Sequence, residues 1–72
     1  LRQRPADSAA RHVLQAVEHE IRNPLTVLGG FARRLAKTID QSSSQGEYIR
    51  IILSETAKLE QALKGIEEAL AR

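Results

Sequence analysis

Apolar residues in the first half of the chain recur at Leu14, Val17, Ile21, Pro24, Leu28, Phe31 and Leu35, in alternating steps of three and four. That is the heptad pattern of an amphipathic helix. Leu14, Ile21, Leu28 and Leu35 hold one seam position (a), and Val17, Pro24 and Phe31 hold the other (d). Leu25, Ala32 and Ile39 widen the stripe on one flank. A stripe this broad suits a four-helix bundle better than a two-stranded coil. The second half repeats the rhythm with Ile49, Ile52, Thr56, Leu59, Leu63, Ile66 and Leu70, widened by Tyr48 and Leu53.

Between the two segments lies Asp40-Gln41-Ser42-Ser43-Ser44-Gln45-Gly46, a cluster of turn formers without an apolar residue. The pattern predicts a helix over about 7–39, a turn over 40–46 and a second helix over about 45–71. Asp7 or Ser8, just after Pro5, is the expected cap of the first helix. Ser44 and Glu47 have the spacing of a capping box for the second. Leu1 to Asp7 reads as the end of an upstream linker and residues 8–71 as one domain. Two long helices joined by a short polar loop must run antiparallel. The predicted fold is therefore all-α: an antiparallel two-helix hairpin. One hairpin leaves much of each stripe open, so two chains are expected to pair into a four-helix bundle.

Length supports pairing. A core built from 72 residues rarely supplies more than about 3–5 kcal/mol, so domains this small need a staple. With no cysteine, disulfides are excluded, and two histidines are a poor zinc set. Self-association is the remaining device. The near absence of aromatics (Phe31 and Tyr48) and a net charge of +2 with interspersed signs argue against a nucleic-acid partner. No apolar run approaches the roughly 18–20 residues of a membrane span, and no signal-peptide pattern opens the chain. No membrane contact is expected for this segment, and the expected location is cytoplasmic, in a parent protein that is free to carry an anchor elsewhere. A chain that opens on Leu1 reads as a piece of a longer protein.

The candidate chemistry centres on His19. With Leu14 and Ile21 at a, His19 falls at f, directly away from the seam, as does His12 one heptad earlier. A lone exposed histidine ordinarily does nothing. His19, however, opens the string His19-Glu20-Ile21-Arg22-Asn23-Pro24-Leu25. Asn23 shares its helix face. Pro24 interrupts a helical pattern, removes the bond to the Glu20 carbonyl and costs about 3 kcal/mol. A local rule broken without packing return marks a functional site. A carboxylate such as Glu20 can fix the imidazole tautomer while the other nitrogen attacks, and an amide such as Asn23 can orient a phosphoryl oxygen or a water. A zinc-protease reading needs His at the position of Asn23 and fails, so no metal is assigned.

This string resembles the phosphoacceptor box of sensor histidine kinases of two-component systems. The chain from about residue 8 to 71 resembles their dimerisation and histidine-phosphotransfer domain. The resemblance implies that His19 takes the γ-phosphoryl group of ATP on Nε2 and passes it to an aspartate of a response-regulator receiver domain. It implies Glu20 as general base or tautomer-fixing partner. It also implies Asn23 as water-positioning residue, where a member dephosphorylates its regulator as well. Glu18 departs from the small residue common in the family at that position. A second carboxylate beside His19 favours the charged, non-nucleophilic imidazole, and Arg22 offsets it.

No Gly-rich nucleotide loop is present. The chain is expected to bind no cofactor itself and to be inactive alone, with ATP and magnesium held by a separate catalytic domain. Thr26, Gly30, Arg33 and Lys37 share the outer face with His19 and are the candidate partner-binding residues. Gly29-Gly30 reads equally as close approach by the receiver or as tight helix contact. Pro24 is the candidate kink, around which rotation or bending would serve as a switch. The competing readings are a non-catalytic structural dimerisation hairpin and a stand-alone phosphotransferase.

Overall fold

A computed structural model describes the backbone of residues 5–71 and the side chains of residues 8–71. Residues 1–4 of the expected linker lie outside this range. The described residues form two antiparallel helices, α1 (Pro5–Ala36) and α2 (Ser44–Leu70), in a rod of 59 × 15 × 14 Å. The helical backbone already includes Asp7 and Ser8. Neither residue therefore occupies the cap position expected of it, because a cap needs non-helical backbone.

The seam residues of α1 do not face α2. The face packed on α2 is Glu18, Arg22, Leu25, Gly29, Ala32 and Ala36, the seam shifted by one residue. One residue is about 100° of helix turn. Leu25, Ala32 and Ile39, read from the sequence as a widening flank, thus supply the contact within the hairpin. On α2 the a positions Ile49, Thr56, Leu63 and Leu70 turn inward, with Leu53 half-buried. Tyr48, expected to widen this stripe, is exposed. Thr56 is tolerated in the core because its hydroxyl donates to the Leu53 carbonyl at 2.9 Å.

The buried apolar set is small: Leu25, Ala32, Ile49 and Leu63. That is too little to offset the ordering of two long helices. Meanwhile Leu14, Val17, Ile21, Leu28, Phe31 and Leu35 on α1, and Ile52, Leu59 and Ile66 on α2, stand 37–61% exposed. They form one apolar flank along the hairpin, as expected of a half-bundle that a second hairpin completes.

The turn is held by polar bonds. Helix α1 closes at Ala36, short of Ile39, as i→i−3 bonds tighten its end: Lys37 N–H to the Arg34 carbonyl and Thr38 N–H to that of Leu35. Gln41 Nε2 donates to the freed Ala36 carbonyl at 2.6 Å. Asp40 Oδ1 accepts from the Ser42 backbone N–H (2.9 Å) and hydroxyl (2.8 Å). These bonds, the backbone one first, hold the Asp40 carboxyl below its ordinary range.

The cap of α2 is Ser43, not Ser44: its Oγ accepts from the Gly46 N–H at 3.1 Å. Gly46 sets this register. A Cβ there would lie 2.7 Å from the carbonyl oxygens of both Asp40 and Gln41, so only glycine fits against the loop. The serine–glycine pair replaces the serine–glutamate box read from the sequence.

Candidate functional site

Helix α1 carries the whole His19–Leu25 string and runs unbroken across Pro24. His19 stands on the outer flank with its side chain 71% exposed, where the heptad placed it. His12, Glu20, Asn23 and Pro24 are exposed as well. Among the described residues no hydrogen bond joins His19 to Glu20 or Asn23. Adjacent residues on a helix point in different directions, so Glu20 reaches the imidazole only by a side-chain swing.

The carboxylate beside the imidazole belongs to Glu18. Its Oε1 lies 3.9 Å from His19 Nε2. Glu18 is buried, 4% exposed, between the helices. A buried acid needs a partner, and Arg22, one turn on, supplies it: its Nε donates to Glu18 Oε2. Arg22 in turn reaches across to α2, with Nη2 3.9 Å from Glu67 Oε2. The offset expected of Arg22 is thus a direct ion pair.

Sequence reasoning missed that Glu18 belongs to the interhelical face and that α2 contributes Glu67. The heptad did hold the first signal. Glu18 occupies position e, in register with Leu25 and Ala32. Glu67 had none, because the pairing of α2 against α1 depends on the turn.

Beside His19, a cleft of about 550 Å³ opens between the flank of α1 and the end of α2. His12, Glu18, His19, Glu67 and Leu70 are among its lining residues. Among the described residues no three His, Asp or Glu side chains gather as a cation site.

Toward the loop, Thr26 and Arg33 are exposed on the face of His19, Gly30 is half-buried, and Lys37 lies exposed just past the end of α1. A Cβ at Gly30 meets nothing within 4 Å. At Gly29, which is buried, the nearest atoms would be those of the Arg33 guanidinium, 3.4–3.9 Å away. Neither glycine is imposed by a close contact with α2. Arg34 stacks over Phe31, its Cζ 5.4 Å from the ring centroid. No described helix is long and apolar enough to cross a membrane.

Comparison with known proteins agrees with this geometry. The family model described as the His Kinase A (phospho-acceptor) domain matches residues 9–69, nearly the whole chain. No curated protein matches, and no solved structure matches. Domains of the matched family homodimerise and work with kinase and response-regulator partners. An exposed histidine on the flank of a helical hairpin, an open apolar face and the family match lead to one identity: the chain belongs to the His Kinase A family, the phospho-acceptor and dimerisation domain of histidine kinases.

Proposed function

We propose that His19 is the residue of this domain that accepts the phosphoryl group. The observation that carries this reading is its placement: 71% exposed and opposite the apolar seam, at the head of the His-Glu-x-x-Asn-Pro string. A second domain can reach it there without disturbing the bundle. The lone pair of Nε2 attacks the γ-phosphorus of ATP bound to a separate catalytic domain. The N–P bond forms, the bond from phosphorus to the bridging oxygen breaks, and its electron pair leaves with ADP. Glu20 takes the proton from Nδ1 once the catalytic domain has docked; long contacts in an unliganded site commonly tighten in the complex. Magnesium travels with ATP in that domain and neutralises the phosphate charge.

The phosphoryl group then passes to a carboxylate oxygen of a receiver aspartate, and Nε2 regains its lone pair. Thr26, Gly30, Arg33 and Lys37 form the face on which the receiver docks. In the reverse role, Asn23 orients a water toward the aspartyl phosphate. Pro24 leaves the Glu20 carbonyl without its helical partner, which makes this turn the place where α1 bends as signals arrive.

The test mixes this chain with a histidine-kinase catalytic domain and labelled ATP, or with a phosphorylated receiver domain. Acid-labile label should appear on the wild-type chain and vanish in His19→Gln. An unlabelled wild-type chain with a cognate partner leaves only the structural dimerisation hairpin.

A further inference from the structure

We propose that Glu18 is a positioning residue that sets which ring nitrogen of His19 carries the proton, and so restrains phosphorylation of Nε2. The proposal rests on the reading of His19 as the phosphoryl acceptor.

The geometry divides the two oxygens of Glu18 between two tasks. Oε2 is taken by Arg22 Nε, which fixes the carboxylate between the helices. Oε1 faces the imidazole, 3.9 Å from Nε2. At that separation the pair is within ion-pair range and not hydrogen-bonded, and the exposed ring has room to turn toward the carboxylate. The charged groups around His19 are Glu18, Glu20 and Arg22 on its own helix and Glu67 from α2, with His12 across the cleft. Among these, Glu18 has the carboxylate within 4 Å of a ring nitrogen.

A neutral imidazole carries one proton, and the hydrogen bond made by one nitrogen decides where it sits. A carboxylate accepts only, so Glu18 draws the N–H to Nε2. The proton then occupies the lone pair that must attack phosphorus. Nucleophilic attack requires the other tautomer, with the proton on Nδ1. After transfer, the phosphoryl group on Nε2 faces the same carboxylate, and the two negative charges repel. Both effects disfavour the loaded state.

Arg22 ties this restraint to the hairpin. Its guanidinium holds Glu18 through Nε, and its Nη2 is buried without a hydrogen-bond partner, 3.9 Å from Glu67. The position of Glu18 is therefore sensitive to how α2 lies against α1.

The experiment uses this chain with ¹⁵N-labelled histidine, in wild-type form and as Glu18→Gln and Glu18→Ala. Long-range ¹H–¹⁵N correlation at alkaline pH gives the share of the Nε2–H tautomer of His19. Circular dichroism checks the helices. The wild type should hold Nε2–H more strongly than free histidine, which already leans to that tautomer, and both variants should lower the ratio of Nε2–H to Nδ1–H by about twofold or more. With an added catalytic domain and magnesium–ATP, their initial rate of His19 labelling should rise by about three- to tenfold. A purely structural role for Glu18 would leave the tautomer ratio unchanged.

A wild-type ring mainly in the Nδ1–H form overturns the proposal without any variant. So does an unchanged ratio in two helical variants. A shifted ratio in a chain whose wild-type form takes no label supports the role of Glu18 and overturns His19 as acceptor.

Discussion

Arg11, near the start of α1, donates from Nη1 to the backbone carbonyl of Leu70, 2.6 Å away and at the last residue of α2. The bond ties α1 to the end of α2 at the open end of the hairpin. The last carbonyls of a helix lack internal partners and carry the negative end of its dipole, so a cation there satisfies both. Helix α2 has no basic residue of its own in its last turn. Arg11→Met keeps the aliphatic stem and removes the donor. It should cost about 1 kcal/mol, read as a lower urea midpoint, with faster amide exchange confined to the ends of both helices.

Gly46 and Gly30 give opposite expectations for the same substitution. Gly46→Ala drives a Cβ to 2.7 Å from two backbone carbonyl oxygens, and neither can yield like a flexible side chain. It should destabilise the hairpin by roughly 1–3 kcal/mol. Gly30→Ala meets open space inside a helix, so it should stabilise by up to about 1 kcal/mol. If the receiver docks on this face, Gly30→Ala should also slow phosphotransfer while leaving labelling of His19 by the catalytic domain unchanged. Thermal melts and paired transfer assays check both.

These two glycines also show what was legible in the sequence and what was not. The heptad steps gave the two helices, their antiparallel pairing and the outward face of His19, because each depends only on spacing along one chain. The cap of α2 went to Ser43 instead of Ser44 because Gly46 must sit against carbonyls that the turn itself places. Leu28 and Phe31 hold seam positions and are 61% exposed in the single hairpin, whose internal contact is instead made by the flank residues Leu25 and Ala32. A stripe wide enough for two neighbours does not say which neighbour is intramolecular. In the sequence Glu18 stands out only as a charge beside His19. Its burial follows from the same shift of contact face.

The turn should weaken in acid. Two bonds from Ser42, the backbone N–H first and the hydroxyl second, lower the carboxyl of Asp40. A depressed folded-state value means a stabilising contribution that is fully present above the unfolded-state value of about 3.9 and is lost as pH falls through the lower folded-state value. Asp40→Asn keeps an oxygen to accept the same bonds but does not titrate. The wild-type urea midpoint should therefore decline more steeply than that of the variant below about pH 4, and the two should run parallel above pH 5. Parallel curves throughout would show that Asp40 does not couple to folding.

The apolar flank makes the sharpest demand on the dimer. Leu28 on α1 is 61% exposed and Ile51 on α2 is 53% exposed, so within a single hairpin the two are nearly equivalent. Replacing either would then change stability by no more than about 0.5 kcal/mol. Their places on the heptads differ, however. Leu28 is a seam residue between Phe31 and Pro24, whereas Ile51 lies outside the a and d positions of α2. If the seam closes against a second chain, Leu28→Asp buries a charge among apolar side chains and should weaken association by roughly 100-fold or more. Ile51→Ser should leave it unchanged. Sedimentation at tens of micromolar should find two chains for wild type and Ile51→Ser and one for Leu28→Asp. The unfolding midpoint should rise with protein concentration only in the first two. Because so little apolar surface is buried inside each hairpin, the Leu28→Asp monomer should also lose much of its helix signal, so that dissociation and unfolding coincide.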